Sequence, residues 1–178
     1  GRPRQKLFLN EMNSLYKSMT SIITSSSTAD GTKEVNALIG TGVFDFPKPV
    51  ELIRTLVEQS TDEGSIVLDM YAGSATTAHA VMRQNSIDNG RRKYILIQLP
   101  VIVADGSVAH SMGFETISNI SKARMKSAAN ALRKECSPIE VDFGFRVLKI
   151  DSSNMTDVYY NPDAIIQDDL FAQVDNIK

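Results

Sequence analysis

The sequence predicts an α/β fold with a mostly parallel sheet, and one stretch of the chain carries this prediction. Apolar runs at residues 66–68 and 94–99 have the length and composition of buried strands. Between them, residues 76–87 are predicted to form a helix that ends at Asp88-Asn89-Gly90. A strand, a helix and a second strand at this spacing favour a right-handed parallel crossover.

Hydrophobic periodicity and turn residues predict the remaining elements. In chain order, these are a turn at 29–32, a short helix that ends at Gly40, a helix whose first turn holds Pro49, an irregular segment at 101–112, a helix at 117–132 with one face in the core, and a strand at 145–150 that is exposed on one face.

Composition indicates an ordinary globular chain without a strong charge bias. Of the 178 residues, 42% are apolar and 22% are charged, and the formal net charge is −2. Basic residues cluster at 1–6, 91–93 and 122–134, where a solvated surface is the simpler interpretation and contact with phosphates is the alternative.

The single cysteine, Cys136, excludes an internal disulfide and favours a cytoplasmic location. No apolar run has the length of a membrane span, so we expect no membrane partner.

The turn after the first predicted strand carries the residues that indicate chemistry. Asp69 places a negative charge at the end of the strand, and Gly73 permits close backbone approach. The hydroxyls of Ser74, Thr76 and Thr77 are expected to cap the next helix and to offer donors to a ligand carboxylate. This order of residues predicts a pocket for an adenosine-bearing cofactor at the carboxyl end of a parallel strand. The alternative is that these residue types only build the turn.

A second motif, Phe46-Pro47-Lys48-Pro49, precedes the predicted sheet. Its two prolines are expected to fix an extended backbone, which holds Phe46 and Lys48 in defined directions. Lys48 then suits a ligand carboxylate, and Phe44 or Phe46 suits the wall of a pocket. In the alternative interpretation, Pro47 stiffens a loop and Pro49 begins a helix.

The two motifs in this order resemble the cofactor-binding pair of beta-class DNA amino-methyltransferases, F-x-x-P-K-P followed by L-D-x-F-A-G-S-G-T-T. The helix start at 76–82, the strand at 94–100 and the segment 144–154 are similar to the modification subunit of type III restriction–modification systems. This resemblance covers roughly residues 28–160. It implies a partial Rossmann-like methyltransferase fold, S-adenosyl-L-methionine as cofactor and an adenine in duplex DNA as methyl acceptor. The cofactor-binding residues that it implies are Phe46, Pro47, Lys48, Pro49, Asp69, Tyr71, Ala72, Gly73, Ser74, Thr76, Thr77 and Gln98.

The resemblance also implies an organisation and partners. Residues 1–43 are predicted to be a connector and the end of an upstream recognition region, 44–150 the cofactor-binding part, and 151–178 a carboxy-terminal tail. The implied partners of the parent protein are duplex DNA, a second modification subunit and a restriction (helicase and nuclease) subunit. Because a half-sheet leaves edges and apolar faces unpaired, self-association of this chain is also expected.

The sequence departs from the family pattern in three places. Ala75 stands where the pattern has glycine, and Gln98 and Val101 stand where many relatives have an acidic residue for the ribose hydroxyls. The third departure is the absence of the D/N-P-P-Y/F tetrapeptide that holds a flipped adenine. Asn161-Pro162-Asp163 lacks the second proline and the aromatic residue. We therefore expect this chain to be inactive alone, and we assign no catalytic residue.

Two other function classes stay open at this point. One is a fragment of a dinucleotide-binding oxidoreductase, although the turn lacks the G-x-G-x-x-G spacing and no acid ends the second strand. The other is a non-catalytic module for subunit assembly. His79 is interpreted as a packing or hydrogen-bonding residue, with a ligand role as the alternative, and no metal site is expected.

Overall fold

The computed structural model describes residues 22–23, 26–135 and 141–152. The chain divides after Gly144 into two units, and the elements below belong to the first. The expectations for residues 1–21, for Cys136, for the tail beyond residue 152 and for Asn161-Pro162-Asp163 lie outside the described residues.

A pair of parallel strands forms the centre of the first unit. Strand β1, Ile66–Asp69, pairs in register with strand β2, Lys93–Leu96, so that Ile66 lies opposite Lys93 and Asp69 opposite Leu96. Helix α3, Thr76–Asp88, connects them. The predicted strand–helix–strand unit is confirmed, and the fold is α/β with a small parallel sheet.

Within the part of the chain that the structure describes, four further helices surround this unit. They are α1, Thr28–Ile39; α2, Val50–Ser60; α4, Val108–Ser111; and α5, Ile117–Glu135. Helix α3 packs against α2, α5 and β2, and α1 packs against α5. The predicted core face of α5 is confirmed, because Ile120, Ala128 and Leu132 are buried. None of the described helices has the length and apolar character needed to cross a membrane.

The turn predicted at residues 29–32 is wrong, because these residues form the first turns of α1. The cause is a Ser-x-x-Asp capping arrangement. The backbone N–H of Ser27 donates to the Asp30 carboxylate at 2.8 Å, and the Ser27 hydroxyl donates to the same oxygen at 2.9 Å. Asp30 therefore stabilises the start of a helix rather than a loop.

Two other predicted segments also differ from the structure. The segment 101–112 contains α4 and a single antiparallel bridge between Ile102 and Thr116. Residues 145–152, the described part of the second unit, contain neither strand nor helix. An alternating pattern forms a strand only where another strand pairs with it, and within the described residues no strand pairs with this segment.

The two strands are open on one side, although the sequence predicts them to be buried. Ile66, Leu68 and Ile95 are 61%, 57% and 52% exposed, and Ile97 on the same side is also exposed. Parallel strands are buried on both faces only when helices cover both. Here the alternate residues Val67, Tyr94 and Leu96 are half-buried, which leaves an open sheet face formed by Ile66, Leu68, Ile95 and Ile97.

Gly31 permits the close contact between α1 and the proline motif, and we predict that Gly31→Ala destabilises the fold. An added Cβ would lie 2.3 Å from the Pro47 carbonyl oxygen, so the backbones must separate. Alanine gains about 1 kcal/mol in helix propensity, but overpacking against backbone costs more. We expect a net loss of about 1–2 kcal/mol in the free energy of unfolding in urea. Thr32→Ala, at the exposed neighbouring position, is the control and should be neutral or stabilising. A Gly31→Ala protein as stable as this control would contradict the contact.

Candidate cofactor-binding site

Asp69 ties the end of β1 to the first turn of α3. One carboxylate oxygen accepts a hydrogen bond from the backbone N–H of Tyr71 at 3.0 Å, and the other accepts from the Thr77 hydroxyl at 2.5 Å. The side chain is half-buried. The charge therefore lies at the carboxyl edge of the sheet, beside the start of a helix.

The chain that leaves β2 holds the other side of the turn. The N–H of Ala72 donates to the Ile97 carbonyl at 3.0 Å, and the N–H of Gly73 donates to the carboxamide oxygen of Gln98 at 2.8 Å. The Gln98 amide nitrogen donates to the Leu99 carbonyl at 3.0 Å. In this structure the Gln98 oxygen, which the sequence suggests for a ribose hydroxyl, supports the backbone of the turn.

Two residues of the turn have left-handed backbone conformations. Gly73 has φ 50°, and Ala75 has φ 64° and ψ 39°. An alanine in this region costs about 1–2 kcal/mol relative to the right-handed region. Ala75, which replaces the glycine of the family pattern, thus adopts a conformation that favours glycine, and it is fully buried.

The N-terminus of α3 has no side-chain cap. Ala75 occupies the N-cap position, and its methyl group accepts no hydrogen bond. The expectation that Ser74, Thr76 and Thr77 cap this helix is therefore wrong. Because the first N–H groups of a helix have no acceptor within it, those of Thr76 and Thr77 are suited to an anionic ligand group.

The structure brings the proline motif next to the turn. The Thr76 hydroxyl donates to the Lys48 carbonyl at 3.3 Å, and a Cβ on Gly73 would lie 3.5 Å from the Phe44 ring. The extended backbone expected for the motif is wrong at Phe46, which has φ 51°. Its ring is 90% exposed. A strained, exposed aromatic residue is the kind of feature that occurs at ligand sites.

The sequence-predicted site residues fall into two groups by burial. The exposed and half-buried group comprises Phe46, Lys48, Asp69, Tyr71, Gly73, Thr77 and Gln98. The buried group comprises Pro47, Pro49, Ala72, Ser74 and Thr76. Apart from glycine, the residues of the first group have side chains that solvent reaches, whereas the side chains of the second group lie in the interior.

Arg124 is a residue of this region that the sequence analysis missed. It was assigned to a solvated or phosphate-binding face of α5, but it is fully buried. Its Nη1 atom donates to the Ser74 hydroxyl at 2.5 Å and to the Thr76 hydroxyl at 2.7 Å. The signal was present in the spacing, because Arg124 lies at i+4 from Ile120 and at i−4 from Ala128, on the apolar stripe of the helix.

Arg92 is a second buried arginine from a predicted surface cluster. Its Nη1 atom lies 2.8 Å from a carboxylate oxygen of Asp88, and its Nε donates to the Thr61 hydroxyl at 2.8 Å. The backbone of Arg92 is also paired with the Asn85 carboxamide, at 2.9 and 3.2 Å. Arg92 thus fastens the end of α3 to the end of α2 and is not available to phosphates.

His79 is buried in the second turn of α3, with 8% exposure, and its Nδ1 atom has no hydrogen-bond partner among the described residues. Burial lowers the pKa of His79 to about 3, and the positive charges of Arg124 and Arg83 act in the same direction. The ring is neutral at physiological pH. Within the part of the chain that the structure describes, no three histidine, cysteine or acidic side chains are grouped so as to hold a metal ion.

A carboxylate at the end of a parallel strand, followed by a strained turn and an uncapped helix, is an arrangement typical of cofactor sites in α/β proteins. The chain belongs to the DNA methylase family, whose sequence profile matches residues 4–100.

Individual relatives agree with this family. The chain is 37% identical to the type III restriction-modification enzyme StyLTI Mod subunit of Salmonella typhimurium. The 121 aligned residues are 68% of this chain and 19% of that subunit. It is 42% identical over 100 residues to the EcoPI Mod subunit of Escherichia phage P1, 56% of this chain and 16% of that subunit. It is 36% identical over 98 residues to the type II methyltransferase M.KpnI of Klebsiella pneumoniae, 55% of this chain and 24% of that enzyme. The chain thus spans less than a quarter of these relatives.

The low pKa of His79 predicts a stability loss in mild acid. Since the unfolded chain binds the proton near pH 6.5 and the folded chain only near pH 3, the contribution of His79 is full above pH 6.5 and declines as the pH falls toward 3. Between about pH 8 and pH 5 the loss should be about 2 kcal/mol. Urea unfolding at both pH values tests this, with His79→Leu as the comparison. An equal pH dependence in the two proteins would show that His79 is not the cause.

Proposed function

We propose that this chain is the S-adenosyl-L-methionine-binding part of a DNA adenine methyltransferase of a type III restriction–modification system. The observation that carries the proposal is the uncapped N-terminus of α3 beside the Asp69 carboxylate. The amino-acid end of the cofactor has a carboxylate and an ammonium group. The backbone N–H donors at the start of α3 suit the carboxylate, and the negative charge of Asp69 suits the ammonium group.

The residues around this point also suit the rest of the cofactor. The Phe46 and Tyr71 side chains are 90% and 87% exposed, so both rings are accessible from solvent. Their rings offer faces to an adenine or to the methionine chain, and Lys48 offers a positive charge. The bound cofactor would supply an electrophilic methyl group, and the residues of this chain would hold and orient it.

Methylation of DNA belongs, in this proposal, to the longer parent protein. The names of the relatives support this, since two of those described above are Mod subunits of type III restriction-modification enzymes. The partners proposed for the parent are duplex DNA, a second modification subunit and a restriction subunit. The 178 residues contain no D/N-P-P-Y/F tetrapeptide to hold a flipped adenine, so we propose that the chain alone has no activity.

We predict that the chain binds S-adenosyl-L-methionine and its demethylated product in calorimetric titration, and that Asp69→Asn weakens binding about tenfold or more. The amide keeps one oxygen for Tyr71 or Thr77 but loses the negative charge that faces the ligand. Glu63→Gln, an exposed acid in the turn before β1, removes the same charge at a distance and should leave the affinity unchanged.

The same titration separates this proposal from the other function classes. NAD should not bind, and the match to the DNA methylase family already argues against an oxidoreductase. Binding of NAD would overturn the proposal. Binding of neither ligand would favour a module for subunit assembly.

A second candidate role, self-association, is favoured by the open sheet face. Leu68 and Ile95 are neighbours across the two strands, and both are more than half exposed. Contiguous apolar surface of this kind is a typical association surface. The strands also have unpaired outer edges within the described residues, which adds a tendency to pair with another chain.

We therefore predict that the chain forms dimers or larger species at high micromolar concentration, and that Leu68→Glu shifts it toward monomer. A charge on the open sheet face would have to be desolvated in the association, whereas it remains hydrated in the monomer. Ile87→Glu, on an equally exposed apolar residue of α3, is the control and should leave the assembly unchanged. A monomeric wild-type chain in sedimentation velocity would contradict this role.

A further inference from the structure

We propose that Arg124 is a positioning residue for the cofactor turn, and that it sets the affinity for the methyl donor without touching it. The affinity part of this inference rests on the function proposed above. The positional part rests on the geometry of α5 and the turn alone.

Helix α5 contacts the turn through two side chains one helical turn apart. Ser121 donates its hydroxyl to the Gly73 carbonyl at 2.5 Å. Arg124 reaches the Ser74 and Thr76 hydroxyls with one nitrogen, and the same nitrogen lies 3.5 Å from the Ser74 carbonyl. The two side chains thus hold the segment that runs between the left-handed residues Gly73 and Ala75 and into α3.

The start of α3 lacks a side-chain cap because Ala75, at the N-cap position, has no side-chain acceptor. The hydroxyls on either side make other contacts, Ser74 and Thr76 with Arg124 and Thr77 with Asp69. The first N–H groups of α3 are thus suited to a ligand.

A role in stability alone does not account for an arginine at this position. Its side chain is fully buried, and its Nε and Nη2 atoms have no hydrogen-bond partner among the described residues. Burial lowers the pKa of Arg124 to about 10, a shift that the Glu34 carboxylate opposes. Replacement of a buried charged group by an apolar side chain of similar volume is often neutral or stabilising. What an apolar side chain lacks is the ability to fix two hydroxyls and so keep a strained turn in one conformation.

The test uses Arg124→Met and Arg124→Lys in the 178-residue chain, with Lys126→Met as a control at an exposed position of the same helix. Three quantities are measured for each: the melting temperature, the affinity for S-adenosyl-L-methionine by calorimetry, and the hydrogen-exchange rates of the turn amides at 73–77, of which those of Gly73 and Ala75 are hydrogen-bonded and carry the readout. Arg124→Met removes the hydrogen bonds and keeps an apolar stem, whereas Arg124→Lys keeps the charge and one bond.

For Arg124→Met we expect a melting temperature equal to or above that of the wild type. Its affinity for S-adenosyl-L-methionine should nevertheless fall about tenfold or more, and the turn amides should exchange at least about tenfold faster while those of α2 do not change. Arg124→Lys should recover part of both losses, and Lys126→Met should match the wild type. A loss of affinity without a loss of stability is the result that a purely structural role does not produce.

The inference is overturned if Arg124→Met keeps the wild-type affinity and turn exchange. It is also overturned if the melting temperature and the affinity fall while exchange becomes faster throughout the domain. Should Arg124→Met fail to fold, Ser121→Ala removes the other contact from α5, and unchanged exchange at residues 73–77 in that variant would refute the inference. If the wild-type chain does not bind S-adenosyl-L-methionine, the proposed function fails, and the exchange rates by themselves decide the role of Arg124.

Discussion

The chain passes from β1 to α3 through a strained turn at residues 70–75, and the rest of the described fold is arranged around this constraint. The turn contains two left-handed residues, Gly73 and Ala75, of which only the first is free of a steric cost. Such a conformation persists when the surroundings hold it from several sides. Here three contacts support the turn. Asp69 accepts from the Tyr71 N–H, Gln98 accepts from the Gly73 N–H, and Arg124 donates to the Ser74 hydroxyl.

The helices that precede the sheet in the chain meet the same turn through the proline motif. The Glu34 carboxylate of α1 accepts a hydrogen bond at 2.8 Å from the N–H of Val50, at the start of α2. Gly31 of α1 allows the Pro47 carbonyl to approach closely, and the Lys48 carbonyl in turn accepts from Thr76. A short series of contacts therefore connects α1 to the start of α3. The motif is held at the edge of the site by backbone contacts, which leaves the Phe46 and Lys48 side chains exposed.

The electrostatic character of the site follows from what is buried and what is not. Arg124 and His79 lie inside, where burial lowers the pKa of both side chains. Among the sequence-predicted site residues, the charged side chains that solvent reaches are the half-buried acid Asp69 and the exposed base Lys48.

Sequence patterns between residues close together in the chain determined much of the predicted fold and the family of this protein. The strand–helix–strand unit, the two motifs and the family all followed from residues close together in the chain, because periodicity, proline and glycine act locally. Only the tertiary structure decided that Arg124 binds the turn, that Arg92 is buried and that Phe46 has a left-handed backbone. It also decided that the Ser74 hydroxyl contacts Arg124 of α5 instead of capping α3. These outcomes depend on contacts between residues far apart in the sequence, such as the 50 positions between Ser74 and Arg124. A pattern within one element does not contain that information.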